Sequence, residues 1–165
     1  MANGDKSSVP GYIGYNFFNS FLNGLRETHI PLRIDRSVMS KASGSQVSAT
    51  LQTLRHLGLI DENSKPNESM KQLVEAAEQD RGAVLKKLMV RSYSFVINDD
   101  FDLEKATGHM VAERVREQGV QGSTLTKAVA FFLSAAKDAG IKVSPHVKAP
   151  AAPSHPKERK RTSGQ

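Results

Sequence analysis

The sequence predicts a mainly α-helical protein, in which a winged-helix/helix-turn-helix-like N-terminal half packs against a C-terminal helical half. Apolar residues recur at helical spacing in several segments, and Gly, Pro and capping residues separate these segments. Residues 35–60 also have the order of a helix-turn-helix module, namely a short helix, a Gly-Ser turn and an amphipathic helix. With 165 residues, of which 38% are hydrophobic, the chain can bury one core without disulfides.

The N-terminal half begins with a polar segment, residues 1–11, that we expect to be a flexible leader. A first helix is predicted from Gly14 to Glu27, where Phe and Leu residues recur at helical spacing. Pro31 ends it because the residue before a proline avoids helical geometry. A short helix follows from Asp35 to Lys41, with Asp35 as its N-cap. The domain itself is predicted to span residues 12–144.

The segment "SGSQVSATLQTLRHLGLID" (43–61) supplies the second helix of the module. Ser43 or Ser45 is expected to cap this helix, and Gly58 suits the left-handed position that ends it. The segment "LIDENSKPNE" then predicts a short strand, a turn at residues 63–66 and a returning strand, which together resemble a wing. The face expected to point inward comprises Val47, Leu51, Leu54 and Leu57.

The C-terminal half predicts three more helices. The first runs from Ser69 to about Tyr93 and is broken at Gly82. The second ends near Gln118 and is capped by one of Asp99, Asp100 and Asp102. The last spans Leu125 to Ala139 and ends at Gly140. The segments "LQTLRHLGLI" and "LSAAKDAGIK" echo each other, through either a duplication or common helix-end punctuation.

The net charge of +6 suggests a nucleic-acid partner, but it is concentrated in the tail. Residues 145–165 are rich in Ala, Pro, Lys and Arg and are predicted to be disordered. The part before His146 has 18 basic and 16 acidic side chains, so it is nearly balanced. The tail either adds phosphate affinity or only aids solubility, unless it is an expression remnant. Its phosphate contacts would come from Lys157, Arg159, Lys160 and Arg161.

A helix-turn-helix module would place the helix after Ser43 in the major groove of duplex DNA. Gln side chains can pair with adenine, and Ser hydroxyls can bond bases or phosphates. The alternative is a structural helix with a polar face toward solvent. The outward face is predicted to hold Ser45, Gln46, Ala49, Gln52, Thr53 and His56. The predicted DNA contacts are Arg33, Arg36, Lys41, Ser43, Ser45, Gln46, Gln52 and Lys65.

Motifs for catalysis, metals and cofactors are absent from the sequence. There is no cysteine, the five histidines share no ligand spacing, and "GVQGST" (119–124) lacks the lysine of a phosphate loop. The carboxylates of residues 99–104 lack the spacing of a calcium loop and suit helix capping better. We therefore expect no catalytic residue, no metal and no cofactor.

The apolar segments bear on location and on assembly. "AVAFFLSAA" (128–136) is too short to span a bilayer, which needs about 20 residues, so we expect a cytoplasmic protein without membrane contact. The helix around it is apolar nearly all the way round, so it is either a central core helix or a homodimer interface. Phe131 and Phe132 would form that interface.

Several segments together resemble a prokaryotic domain-of-unknown-function family of small, largely helical, winged-helix-like proteins. They are "IPLRIDRS" (30–37), "SGS" (43–45), "LRHLGLID" (54–61), "GST" (122–124) and "KAVAFFLSAAKDAGI" (127–141). The resemblance covers about residues 12–144 and implies a fold but no activity. We therefore expect a non-catalytic binding protein, with duplex DNA as the leading partner. The alternative is a protein-interaction or assembly module that does not contact nucleic acid.

Overall fold

A computed structural model describes residues 9–148, which form a mainly helical fold, as predicted. Two isolated antiparallel residue pairs, Ile60 with Pro66 and Asn98 with Phe101, are the β pairing within these residues. The two strands expected after Gly58 are thus reduced to the single residue pair Ile60 and Pro66. The helices are α1 (Tyr15–Glu27), a 3₁₀ helix (Arg36–Met39), α2 (Gly44–His56), α3 (Glu68–Glu75), α4 (Glu78–Ser92), α5 (Gly108–Arg116) and α6 (Gly122–Ala139).

Helix α6 lies at the centre and packs against α4, α5 and α1. The Phe131 ring packs edge-on against Phe18 of α1, with ring centroids 5.3 Å apart. The Phe132 ring packs against Tyr93 at 4.9 Å. Both phenylalanines are at most 1% exposed, so the chain itself covers them. The prediction that they form a dimer interface is therefore wrong, and the core alternative holds.

The break in the predicted helix from Ser69 to Tyr93 lies at Ala76 and Ala77, not at Gly82. Ala76 is extended, and its carbonyl oxygen accepts a hydrogen bond from the Arg26 side chain, which satisfies one carbonyl at the end of α3. Gly82 stays helical for a packing reason. A Cβ there would lie 2.8 Å from the Asp138 carbonyl oxygen, so glycine lets α4 approach α6 closely.

Helix α5 begins at Gly108 with Thr107 as its cap, so the capping role predicted for Asp99, Asp100 or Asp102 is wrong. The side chains of Asn98 and Asp102 instead accept hydrogen bonds from backbone N–H groups two residues further on. Such turns compete with helix formation. The loop they form buries Phe101, Leu103 and Ala106 in the core.

Several signals at the ends of the other helices are confirmed, but α6 begins at Gly122 and not at Leu125, so residues 122–124 of the expected turn are helical. Asp35 caps the 3₁₀ helix and Ser43 caps α2. Gly58 and Gly140 both have φ of 75°, in the left-handed region. Each is followed by a residue whose N–H bonds a carbonyl five positions back, in the common glycine-ended helix motif. This shared motif accounts for the likeness of the two segments without a duplication.

The packed region extends beyond residues 12–144 at both ends. Pro10 and Gly11, predicted to be part of a flexible leader, are buried. Val147, predicted to be in the disordered tail, is 8% exposed, and Ser144 N–H donates to the Leu103 carbonyl over 2.9 Å. The rest of the predicted leader and tail, including Lys157, Arg159, Lys160 and Arg161, lies outside the described residues.

Two shortened chains test the C-terminal boundary. A chain ending at Lys148 keeps every buried residue of the described part, so its melting temperature should match that of the full chain. A chain ending at Ser144 should lose about 1.5 kcal/mol, because burial of a valine side chain contributes about that much. Thermal melts followed by circular dichroism measure both. Equal stability of the two shortened chains would show that Val147 contributes nothing.

Candidate nucleic-acid interface

The N-terminus of α2 is held by a reciprocal capping box. The Ser43 hydroxyl accepts from Gln46 N–H at 3.2 Å, and the Gln46 side-chain oxygen accepts from Ser43 N–H at 3.0 Å. The first turn of α2 contains no acidic residue. The helix dipole therefore leaves a partial positive charge at this end that no local carboxylate offsets.

Two cations lie next to this helix end. The Arg36 guanidinium is 3.8 Å from the position that a Cβ on Gly44 would occupy, which places it beside the first residue of α2. Lys41 is exposed in the turn between the 3₁₀ helix and α2. The ion pairs of the described residues involve neither of them. Positive charge is thus concentrated at one exposed point of the surface.

The turn after Gly58 is anchored to the segment that carries Arg33. Ile34 N–H donates to the Ser64 carbonyl at 2.8 Å, and the Arg55 guanidinium donates to the Ser64 hydroxyl at 3.1 Å. Ser64 adopts a left-handed φ of 64° in this tight turn. Lys65 therefore lies next to the Arg33 segment. Its side chain also lines a cleft of about 940 Å³ with Arg26.

Arg33 and Lys65 each have an acidic neighbour. Hydrogen bonds from the Ser37 hydroxyl and N–H hold the pKa of Asp35 below its usual value, and the charge of Arg33 lowers it further. The Lys65 N–H does the same for the pKa of Asp61. Both carboxylates therefore stay ionised and offset part of the positive charge beside them. Arg36 and Lys41 take part in no ion pair within residues 9–148, so their charges are available to an anion.

The outward face predicted for α2 is mostly covered. Ala49, Thr53 and His56 are 5%, 0% and 7% exposed, so the prediction that they point to solvent is wrong. Residues 9–13 lie over this face, with Ile13 N–H donating to the Thr53 hydroxyl at 3.4 Å. Gly11 packs so closely on Thr53 that a Cβ there would lie 2.6 Å from its methyl group. The α2 helix is therefore buried on two sides.

The face of α2 that was predicted to point inward is buried at three of its four residues. Val47, Leu54 and Leu57 are buried, whereas Leu51 is only half-buried. The His56 ring packs at 4.8 Å from the Tyr93 ring, so His56 is buried beside the C-terminal end of α4. Tertiary packing thus selects a wider buried face than the leucine spacing indicates.

The two glutamines are not free to pair with adenine as we predicted. The Gln52 side-chain nitrogen donates to the Val9 carbonyl at 2.8 Å, and Gln52 is half-buried. The side-chain oxygen of Gln46 is used in the capping box. A bidentate pair with adenine needs both the oxygen and the nitrogen of the amide, so either residue would have to give up or share a contact with the protein.

The structure brings most of the predicted contact residues to one place. Gln52 is apart from them under residues 9–13, and Lys65 lies on the neighbouring turn. The sequence analysis missed Lys127 of α6, which lines a groove with Ser45 and Gln46. No local pattern marks it, because more than 80 residues separate it from them. Arg33 lies beside the turn that contains Ser64 and Lys65. The exposed predicted residues near the start of α2 are Arg36, Lys41, Ser43, Ser45 and Gln46.

A family model for a family of unknown function (DUF5343) matches residues 11–144. The chain belongs to the DUF5343 family. The match confirms that the chain belongs to a family of unknown function over about the predicted residues, and the family carries no assigned activity. Comparisons with curated proteins and with solved structures gave no match.

Two structural features are absent from residues 9–148 of this DUF5343 member. No helix there is long and apolar enough to cross a membrane. No group of three or more His, Asp and Glu side chains in the same residues could hold a metal ion.

Replacement of Gln52 by alanine tests its position under residues 9–13. Gln52→Ala should destabilise the protein by about 1 kcal/mol, because it leaves the Val9 carbonyl without its donor. Gln72→Ala, at an exposed position of α3, is the matched control and should change stability by less than about 0.5 kcal/mol. Urea denaturation measures both. Equal effects of the two substitutions would contradict the contact with Val9.

Proposed function

We propose that this protein is a non-catalytic binding module that holds duplex DNA by its phosphate backbone at the N-terminal end of α2. One observation carries the proposal. The Arg36 guanidinium lies against the first residue of α2, whose first turn contains no acid. The Arg36 guanidinium and the partial positive charge at the N-terminus of α2 repel each other. A phosphate bound between them relieves that repulsion.

The distribution of charge along the chain supports a local cationic surface. Residues 28–60 contain four Lys or Arg and a single acidic residue, Asp35. Residues 61–120 contain nine Lys or Arg and twelve Asp or Glu. Residues 121–145 add three Lys and one Asp, so the largest local excess of basic residues before the tail lies in the segment around α2. A polyanion would be attracted to this segment and repelled by the acidic excess of residues 61–120.

The contacts of Gln46 and Gln52 within the protein favour DNA binding that does not depend on base sequence. Phosphate contacts position a protein on DNA without carrying sequence information. Because Gln52 is held by Val9 and Gln46 by Ser43, the α2 surface offers mainly cations, hydroxyls and helix N–H groups. We accordingly expect modest affinity, strong salt dependence and little discrimination between duplex sequences.

A protein-interaction or assembly module is the second candidate. Leu32 is 92% exposed at the edge of the cleft of about 940 Å³ that Lys65 also lines. An exposed leucine beside a concave surface suits a protein partner. Glu68 and Glu75 in the same cleft oppose a nucleic acid there. This candidate would lead if the protein fails to bind DNA.

Replacement of Arg36 or Lys41 by alanine tests the DNA proposal. Each change should weaken binding to two unrelated duplexes by the same factor. Each should also reduce the slope of log affinity against log salt by about one unit, as for the loss of one phosphate contact. Fluorescence anisotropy of labelled duplexes at several salt concentrations gives both quantities for the full chain.

Lys87→Ala is the matched control, because Lys87 is exposed on α4, away from the candidate surface. It should leave both the affinity and the slope unchanged. Equal affinities of all three variants and the parent would reject the α2 surface as the binding site. Absence of any binding by the parent at low salt would reject DNA as the partner.

A further inference from the structure

A groove of about 360 Å³ runs between the N-terminal half of α2 and α6. We infer that this groove binds a second length of phosphate backbone of the same duplex, with Lys127 as its cation. The inference rests on the proposed function and extends the DNA surface from α2 to α6. The groove-lining residues on these two helices are Ser45, Gln46, Ala49, Lys127, Ala130, Phe131 and Ser134.

The shape of the groove suits a close approach by a nucleic-acid strand. Lys127, Ala130 and Ser134 follow one another at spacings of three and four residues, so they lie on one face of α6. Ala49, Ala130, Ser45 and Ser134 are small, while Phe131 of α6 and the rings of Tyr12 and Tyr15 form the larger walls of the groove. Small side chains let a sugar-phosphate backbone reach the helix surfaces, while Ser45 and Ser134 provide hydroxyl donors.

The charge of the groove suits an anion. No acidic residue lines it, whereas three other clefts of the described surface each contain at least two carboxylates. Helix α6 has no acidic residue before Asp138, near its C-terminal end. Lys127 is exposed and takes part in none of the ion pairs found within residues 9–148. Its charge is therefore available to a phosphate in the groove.

The groove is also continuous with the surface proposed above. Ser45 and Gln46, in the first turn of α2, line the groove, and Arg36 lies beside Gly44 at the same helix end. Lys127 and Arg36 therefore both lie near the first turn of α2. One extended polyanion can contact both, whereas a single small anion would need only one of them.

Two substitutions of the same type on α6 test the inference in the full chain. Lys127→Ala should weaken duplex binding and reduce the salt slope by about one unit, since one phosphate contact is lost. Lys137→Ala is the control, because Lys137 is exposed on the same helix but does not line the groove. It should leave the salt slope unchanged. Anisotropy titrations of one labelled duplex at several salt concentrations measure both.

A second pair of variants separates charge from bulk inside the groove. Ser134→Glu places a carboxylate where we infer a phosphate, and Ser134→Gln adds similar bulk without charge. We expect Ser134→Glu to bind more weakly than Ser134→Gln, with the difference shrinking at high salt. Circular dichroism melts confirm that all four variants are folded.

The outcomes distinguish this inference from the proposed function. If Arg36→Ala weakens binding while Lys127→Ala behaves like Lys137→Ala, the groove inference is wrong and the α2 surface stands. Equal binding by Ser134→Glu and Ser134→Gln would also overturn it. If the parent does not bind duplex DNA at low salt, both proposals fail together.

Discussion

The burial of α6 is the constraint on which the rest of the structure depends. Phe131 and Phe132 point in different directions and are both almost fully covered, so the helix needs partners on more than one side. α1 covers Phe131 through Phe18, and Tyr93 covers Phe132. Gly82 lets α4 come close enough to complete this packing. Since the chain buries this helix by itself, α6 requires no second copy to be stable.

The packing of the chain also limits which part of α2 is exposed to a binding partner. Residues 9–13 cover the side of α2 that contains Thr53, and Tyr93 packs on His56 at its far end. The exposed part of α2 is consequently its N-terminal turn, not a whole face. A helix presented by its end offers N–H groups and nearby cations more readily than a row of base-reading side chains. This geometry is the reason why the proposal favours the phosphate backbone over the bases.

The surface divides its charges between different regions. Positive charge gathers around the start of α2, while acidic residues outnumber basic ones in residues 61–120. The acidic loop that includes Asp99 and Asp102 is fixed by local turns in which Asn98 and Asp102 accept backbone N–H groups. A polyanion would therefore be attracted to the cations at the start of α2 and repelled by the acidic loop, with no base-specific contact needed.

The sequence by itself determined the helices and most of their ends, because N-caps such as Ser43 and the left-handed glycines at 58 and 140 act within a few residues. It also determined the cations around α2, since their number is a property of composition. Only the tertiary structure decided that Gln52 is held by Val9, that α4 begins after Ala77 and that Lys127 joins the surface at Ser45. These features depend on contacts between residues far apart in the chain. Local propensity carries no information about such contacts, so the buried face of α2 and the extent of the site could not be predicted.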